Sequence, residues 1–120
     1  MDRPELYSED RPWGAFMHLT DIGSNPTVKQ IEVFKDKRNS LQRHKWRHEH
    51  WFIIKGCFRI TIGSEEHIGN PGDHFWVPQG TAHRFAGLAD ENMLIEVSYG
   101  KFDENDNERL EDDWGRPSLA

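Results

Sequence analysis

The chain has 120 residues, of which 35% are hydrophobic and 30% charged, and its formal net charge is −6. This length supports one packed core, and the acidic balance disfavours a nucleic-acid partner. The longest apolar run, 51–54, is far too short for a membrane span, and the first residues lack the basic start and apolar stretch of a signal peptide. We therefore expect a cytoplasmic protein that does not enter a membrane.

The predicted elements are short β-strands separated by turn signals. We expect residues 1–10 to form a flexible arm and residues 11–120 to form a single domain. The strands are predicted over 15–19, 28–34, 51–55, 58–62, 75–77, 83–85 and 93–99, with turns at Gly56, Gly63, Gly69, Gly72 and Gly87. Residues 104–113 are polar and acidic and favour one short C-terminal helix or turn. Closely spaced strands of this kind indicate an all-β sandwich or barrel.

Four residues supply nitrogen and oxygen donors of the kind that bind a divalent metal: Gln42, His44, Glu49 and His83. Gln42 and His44 are two positions apart, so on a strand both side chains point to one face. Glu49 follows His44 by five positions, which predicts a bulge or short loop between them. His83, on a later strand, then has to come inward from across the barrel.

The spacing of these residues resembles the two-part signature of the cupin superfamily. The first part spans residues 49–56, and the second spans residues 72–83 and includes Pro78-Gln-Gly80. The resemblance implies a single cupin barrel, a double-stranded β-helix or jelly roll. The sequence departs from the usual pattern at Gln42, where many cupins have the first histidine of a His-x-His pair, and at Gly87, where the second part often ends in Asn.

Gln42, followed by Arg47-His-Glu-His-Trp51, is similar to the cupin domain of type II phosphomannose isomerases, which many family members fuse to a sugar-nucleotide pyrophosphorylase. Shorter matches follow in order at 11–14, 28–31, 83–84, 95–97, 104–106, 109, 111–112 and 115–116. The resemblance thus covers about residues 11–116. The acidic segment departs from the family pattern, with Asp103 in place of a usual Gly and Asn107-Glu108 in place of an aliphatic pair.

The resemblance implies an isomerase that interconverts mannose 6-phosphate and fructose 6-phosphate with zinc as the metal. The donor set is also compatible with manganese, cobalt, nickel or iron. An aldose–ketose isomerase needs a Lewis acid to stabilise an enediolate and a base to move one proton. Its partner is a small sugar phosphate, and a homodimer formed through sheet contacts is expected from the cupins it resembles.

The residues that contact the substrate are harder to assign. Arg47 and His50 are the candidate catalytic residues, although His50 alternates away from Glu49 in a regular strand unless a bulge re-aims it. The candidate phosphate-binding cations at family positions are Lys29, Arg84 and Arg109. The segment 35–47 is locally basic, which predicts a basic mouth that attracts a small anion.

Two other functions stay open on the sequence. His44, Glu49 and His83 also form the two-histidine, one-carboxylate set of a non-heme metal oxygenase. A metal-bearing sugar-binding or sensor module without turnover is the other alternative. Gln42 favours the isomerase over the oxygenase, because the resemblance associates that amide with the isomerase branch.

Overall fold

The computed structural model describes residues 5–120, and this range folds into strands joined by turns and loops. The strands are β1 Ser8–Arg11, β2 Gly14–His18, β3 Thr27–Phe34, β4 Leu41–Arg43, β5 Arg47–Lys55, β6 Phe58–Ile62, β7 Glu65–Gly69, β8 His74–Val77, β9 His83–Gly87, β10 Glu91–Gly100 and β11 Glu108–Glu111. Residues 5–120 contain no helix, and hence none with the length and apolarity needed to cross a membrane.

The strands form two antiparallel sheets that pack face to face. One has six strands in the order β1-β2-β3-β10-β5-β8, and the other has five in the order β11-β4-β9-β6-β7. Strands distant in sequence lie side by side, as when β10 inserts between β3 and β5. This arrangement confirms the predicted all-β jelly-roll barrel.

Strict alternation of side chains gives each long strand one inward face. In β5 and β10 buried residues recur at every second position, as the period of two requires. At one end of the interior the inward side chains are apolar: Ile31, Val33, Ile53, Phe58, Ile60, Phe85 and Leu94. At the other end the same strands turn polar residues inward: Thr27, Lys29, Arg47, Glu49, His83, Glu96 and Ser98. The interior is therefore divided into an apolar end and a polar end.

Two glycine turns fix how the central strands connect. Gly56 lies between β5 and β6 with φ of 82°, and a Cβ there would lie 2.1 Å from the carbonyl oxygen of Glu91. Only glycine fits such a close approach in the left-handed region. Gly63 and Ser64 form the tight turn that pairs β6 with β7.

All seven predicted strands are present, one with its exact bounds and six with at least one shifted end, while β1, β4, β7 and β11 were not predicted. The expected arm over 1–10 is wrong for residues 8–10, because β1 pairs with β2 along its whole length. Residues 1–4 lie outside the described range. The helical alternative for 104–113 is also wrong, because β11 pairs with β4 and leaves turns on either side.

Candidate metal centre

Three side chains from different parts of the fold converge at the polar end. Glu49 comes from β5 in the first sheet, His83 from β9 in the second, and His44 from the loop between β4 and β5. Glu49 Oε2 lies 3.5 Å from His44 Nε2, and Glu49 Oε1 lies 3.4 Å from His83 Nε2. One donor atom from each residue lies within 4.8 Å of the others, and all three residues are buried. We call these three residues the metal cluster.

The tautomers of both histidines suit metal ligation. His44 Nδ1 lies 2.6 Å from the carbonyl oxygen of Asp106, and His83 Nδ1 lies 2.9 Å from that of Thr81. A carbonyl only accepts, so each Nδ1 carries the proton and each Nε2 presents a lone pair toward Glu49. His83 Nε2 is buried without a hydrogen-bond partner in the described range. A divalent ion would satisfy it.

The protonation states of the cluster also fit a metal. Burial lowers the pKa of His44 to about 4 and lowers that of His83 as well. Burial by itself would raise the pKa of Glu49, but the two histidines when protonated and the permanent charge of Arg47 hold it below its ordinary value. Two neutral imidazoles beside an ionised carboxylate are what a divalent ion requires of its ligands.

Gln42 lies beside the cluster, as its sequence spacing predicted. It is on β4 as the cross-strand partner of His83, and it lines the same cavity as Glu49. Its Oε1 accepts a hydrogen bond from the Ser40 hydroxyl at 3.0 Å. The loop predicted between His44 and Glu49 is present, because β4 ends at residue 43 and β5 begins at residue 47. A role of Gln42 as fourth ligand stays a prediction.

Arg47 contacts two members of the metal cluster. Its Nε donates to Glu49 Oε2 at 3.2 Å, and one terminal nitrogen lies 3.2 Å from His44 Nε2. The other terminal nitrogen donates to the carbonyl of Asp103, and the guanidinium lies over the Phe102 ring. The predicted catalytic residue Arg47 is thus at the cluster, as a buried cation held from three sides.

His50 does not reach the cluster, so its prediction as a catalytic residue is wrong. β5 pairs with β8 in unbroken register around it, and no bulge re-aims the side chain. Its Nε2 lies 2.9 Å from His74 Nδ1, and its ring packs edge-on against the partly exposed Trp76 on the outer face. His48 stacks on Trp76 on the same face.

Two of the three predicted phosphate-binding cations line the cavity beside the cluster. Lys29 is buried and lies 3.4 Å from a carboxylate oxygen of Glu104 and 4.0 Å from one of Glu96. Arg109 donates through one terminal nitrogen to the carbonyl of Pro117, whereas its buried Nε has no partner in residues 5–120. Both are placed to meet a ligand in this cavity.

Arg84 lies on the outer face of β9, and its predicted contact with substrate is wrong. His83 and Phe85 on either side of it point inward, so alternation turns Arg84 outward. Its guanidinium donates to the carbonyl of Asn39 and to Glu111 Oε1. The sequence match at Arg84 does not show whether its side chain lies on the inner or the outer face of the strand.

Two arginines of the predicted basic mouth pair with the acidic C-terminal segment. Arg38 pairs with Asp113 at 2.7 Å, and Arg43 pairs with Glu108 at 2.7 Å. Of the segment's basic residues, only Arg47 lines the cavity. The remaining cations around the cavity come from elsewhere in the chain: Arg11, Lys29, Arg109 and Arg116.

Sequence reasoning missed Glu96, a buried acid on β10 that also lines the cavity. It is the cross-strand partner of Lys29, and its carboxyl group lies near that of Glu49. Burial, aided by the negative charge of Glu49, raises the pKa of Glu96 to about 8. The available signal was one acid inside the otherwise apolar run 93–97.

Comparisons with known proteins agree with this geometry. The family described as "Mannose-6-phosphate isomerase C-terminal" matches residues 5–112. The chain is 35% identical over 108 residues to the alginate biosynthesis protein AlgA of Pseudomonas aeruginosa and 34% identical over 108 residues to the mannose-1-phosphate guanylyltransferase ManC of Salmonella typhimurium. Each match covers 88% of this chain and 22% of the relative, so the chain spans about a fifth of their length.

The fold is also found among solved structures. A cupin-2 domain from Rhodospirillum rubrum superposes with a TM-score of 0.71 at 19% identity, covering 87% of this chain and 76% of that one. The likeness confirms the cupin barrel that the sequence predicted.

Proposed function

The chain belongs to the family of mannose-6-phosphate isomerase C-terminal domains, and we propose that it is a metal-dependent isomerase that interconverts mannose 6-phosphate and fructose 6-phosphate. The observation that carries this proposal is the buried cluster of His44, Glu49 and His83. A cavity lined by both cations and carboxyl groups adjoins it. Such a cavity suits a ligand that is anionic at one end and hydroxylated at the other.

His44, Glu49 and His83 would hold the ion, with Gln42 as the proposed fourth ligand. Zinc is the proposed metal, and manganese, cobalt, nickel and iron suit the same donors. When bound there, an ion would supply positive charge of the kind that stabilises an enediolate, the intermediate in moving a carbonyl between neighbouring carbons. Arg47 adds a permanent positive charge at the same place, since its guanidinium reaches both Glu49 and His44.

We assign the substrate phosphate to the arginines at the cavity mouth. Arg11 comes from β1, Arg109 from β11 and Arg116 from the C-terminal tail, and all three line the cavity. Burial, together with the charges of Arg116 and Arg11, lowers the pKa of Arg109, although Arg116 pairs with Asp112 and Arg11 pairs with Glu9. A phosphate dianion would relieve this repulsion and pair with the free Nε of Arg109.

We assign the proton transfer between the two carbons to Glu96. It is a carboxyl group that lines the cavity and lies outside the metal cluster, so a ligand's carbon can approach it. Lys29 lies 4.0 Å away and favours its ionised form, which predominates above the pKa of about 8. In this mechanism a Glu96 carboxylate oxygen takes the proton from one carbon and returns it to the neighbouring carbon.

The test is conversion of mannose 6-phosphate by purified protein supplied with zinc or manganese. Fructose 6-phosphate should form with the wild-type protein and fall to the protein-free rate with Glu49→Gln. The variant Arg59→Met changes an exposed cation on the outer face of β6 and should keep wild-type turnover. If metal-loaded protein binds the sugar phosphate without converting it, the isomerase proposal fails and a sugar-binding module takes its place.

A further inference from the structure

We infer that Asp106 is a positioning residue for the metal ligand His44: it fixes the loop that carries His44 and the orientation of its ring. The inference rests on the proposed metal site and adds a residue that lies outside the cluster. Asp106 belongs to the C-terminal segment between β10 and β11, and it is buried. It is separated from His44 by 62 positions in sequence.

Asp106 accepts hydrogen bonds from three consecutive residues of the loop between β4 and β5. One carboxylate oxygen accepts from the backbone N–H of Lys45 at 2.8 Å, and the other accepts from that of Trp46 at 3.0 Å. The backbone carbonyl of Asp106 accepts from His44 Nδ1 at 2.6 Å. All three acceptor atoms of this residue are therefore directed at the loop.

His44 needs such a support more than the other two ligands do. Glu49 and His83 lie in strands, where backbone pairing on neighbouring strands sets the direction of each side chain. His44 lies between strands, and apart from Asp106 the backbone of its loop is held, within residues 5–120, through two carbonyls: His44 accepts from Gly80 N and Trp46 accepts from Lys101 N. The two N–H groups that follow His44 depend on the Asp106 carboxylate.

The side chain and the carbonyl of Asp106 act together on the imidazole. The carbonyl selects the tautomer with a proton on Nδ1 and leaves Nε2 as the donor facing Glu49. The carboxylate keeps that carbonyl in register with the loop. Loss of the carboxylate should therefore release the loop, loosen the Nδ1 hydrogen bond and misplace one ligand, while His83 keeps its own support from Thr81.

The test compares zinc affinity of the wild-type protein, Asp106→Asn and Asp106→Ala by competition with a chromophoric chelator. Loss of a residue that hydrogen-bonds a metal ligand weakens metal affinity by about 10–100-fold. We therefore expect the zinc affinity of Asp106→Ala to fall by that factor. The Asp106→Asn variant keeps one acceptor oxygen, so its zinc affinity should lie between those of Asp106→Ala and the wild-type protein. Asp73→Ala is the matched control, because its carboxylate also accepts a backbone N–H, from Asn70 at 2.8 Å, in a turn that has no contact with the cluster.

A second readout needs neither metal nor substrate. The 15N chemical shifts of the His44 ring should report a proton on Nδ1 in the wild-type protein and a mixture of tautomers in folded Asp106→Asn. Wild-type affinity and an unchanged tautomer in that variant would overturn the inference. Failure of the wild-type protein to bind zinc would instead defeat the proposed metal site, and the tautomer measurement would still decide the role of Asp106.

Discussion

The two ends of the barrel interior are built from the same strands yet have opposite chemistry. On β3, β5 and β10 the inward residues of one end, such as Ile53 and Leu94, are apolar and tightly packed. A few positions away, Glu49 and Glu96 are equally buried but charged or polar. Buried apolar area stabilises the fold, whereas buried ionisable groups cost free energy unless they are paired. One end of the interior therefore provides the stability, and the other holds the site.

The largest expected effect is on activity at the polar end. Replacing Glu49 with glutamine keeps the shape of the side chain but removes the negative charge shared by both histidines and Arg47. Turnover of mannose 6-phosphate should fall by roughly 1,000-fold or more, because the ion and its transition-state stabilisation are lost together. Steady-state kinetics with added zinc measure this. A fall of less than tenfold would contradict the assignment of Glu49 as a ligand.

The next effect is on stability at the apolar end. Ile60 is fully buried on β6, and its truncation to alanine leaves a cavity that should lower the free energy of unfolding by about 2–5 kcal/mol. Urea unfolding measures this, with Ile60→Val as the milder control. Zinc affinity of the folded variant should stay at the wild-type value. If Ile60→Ala weakens zinc binding as much as a cluster variant does, the two ends are not separable.

A smaller effect, on the KM for the sugar phosphate, should distinguish two arginines that were both predicted from the sequence to bind phosphate. Arg109 lines the cavity, whereas Arg84 is fixed on the outer face by Asn39 and Glu111. Arg109→Met should raise the KM for the sugar phosphate by about 10–100-fold, the value of one lost charged hydrogen bond. Arg84→Met should leave KM unchanged in protein shown to be folded by circular dichroism. Equal increases in both variants would contradict the placement of the phosphate.

The smallest effect is a pH dependence that comes from Glu96. With a pKa of about 8 in the folded protein and an ordinary pKa near 4.5 in the unfolded chain, Glu96 keeps a proton on folding that the unfolded chain releases. Acidification from pH 8 to 6.5 should therefore raise the free energy of unfolding by about 1–2 kcal/mol. Below pH 6.5 the buried histidines oppose this, because their lowered pKa values favour protonation of the unfolded chain.

In the Glu96→Gln variant the free energy of unfolding should no longer rise between pH 8 and pH 6.5. Glu32 is an exposed acid on β3, and the Glu32→Gln variant should keep the rise. Urea unfolding at a series of pH values checks both variants. A wild-type slope that survives in Glu96→Gln would show that the pKa of Glu96 is not the source of the effect.

The sequence predicted the features that depend on local pattern. The strand at 58–62 matches β6 in both bounds, and the spacing of His44, Glu49 and His83 predicted both their convergence and the loop between the first two. It did not predict β7 and β11, because each has a single large apolar side chain, Ile68 or Leu110, and so lacks the apolar alternation of a half-buried strand.

Features set by distant partners could not be read from the sequence. The side of the sheet on which Arg84 and His50 lie depends on register with other strands. The pairing of Arg38 and Arg43 with the acidic C-terminal segment joins residues 75 and 65 positions apart. Glu96 was visible as an acid within the apolar run 93–97, but only its proximity to Lys29 and Glu49 gives that acid a role.

The most direct test of the polar end as a metal centre is the metal content of the protein. Chelator-stripped protein is loaded with zinc, passed through a desalting column and analysed by plasma mass spectrometry, and X-ray absorption then reports the ligands. We expect one ion per chain with two imidazole ligands at roughly 2.0–2.1 Å, lost in Glu49→Gln and in His83→Ala and retained in Ile60→Val. Zinc that is absent from folded wild-type protein, or that stays bound at full stoichiometry in both cluster variants, would contradict the polar end as a metal centre.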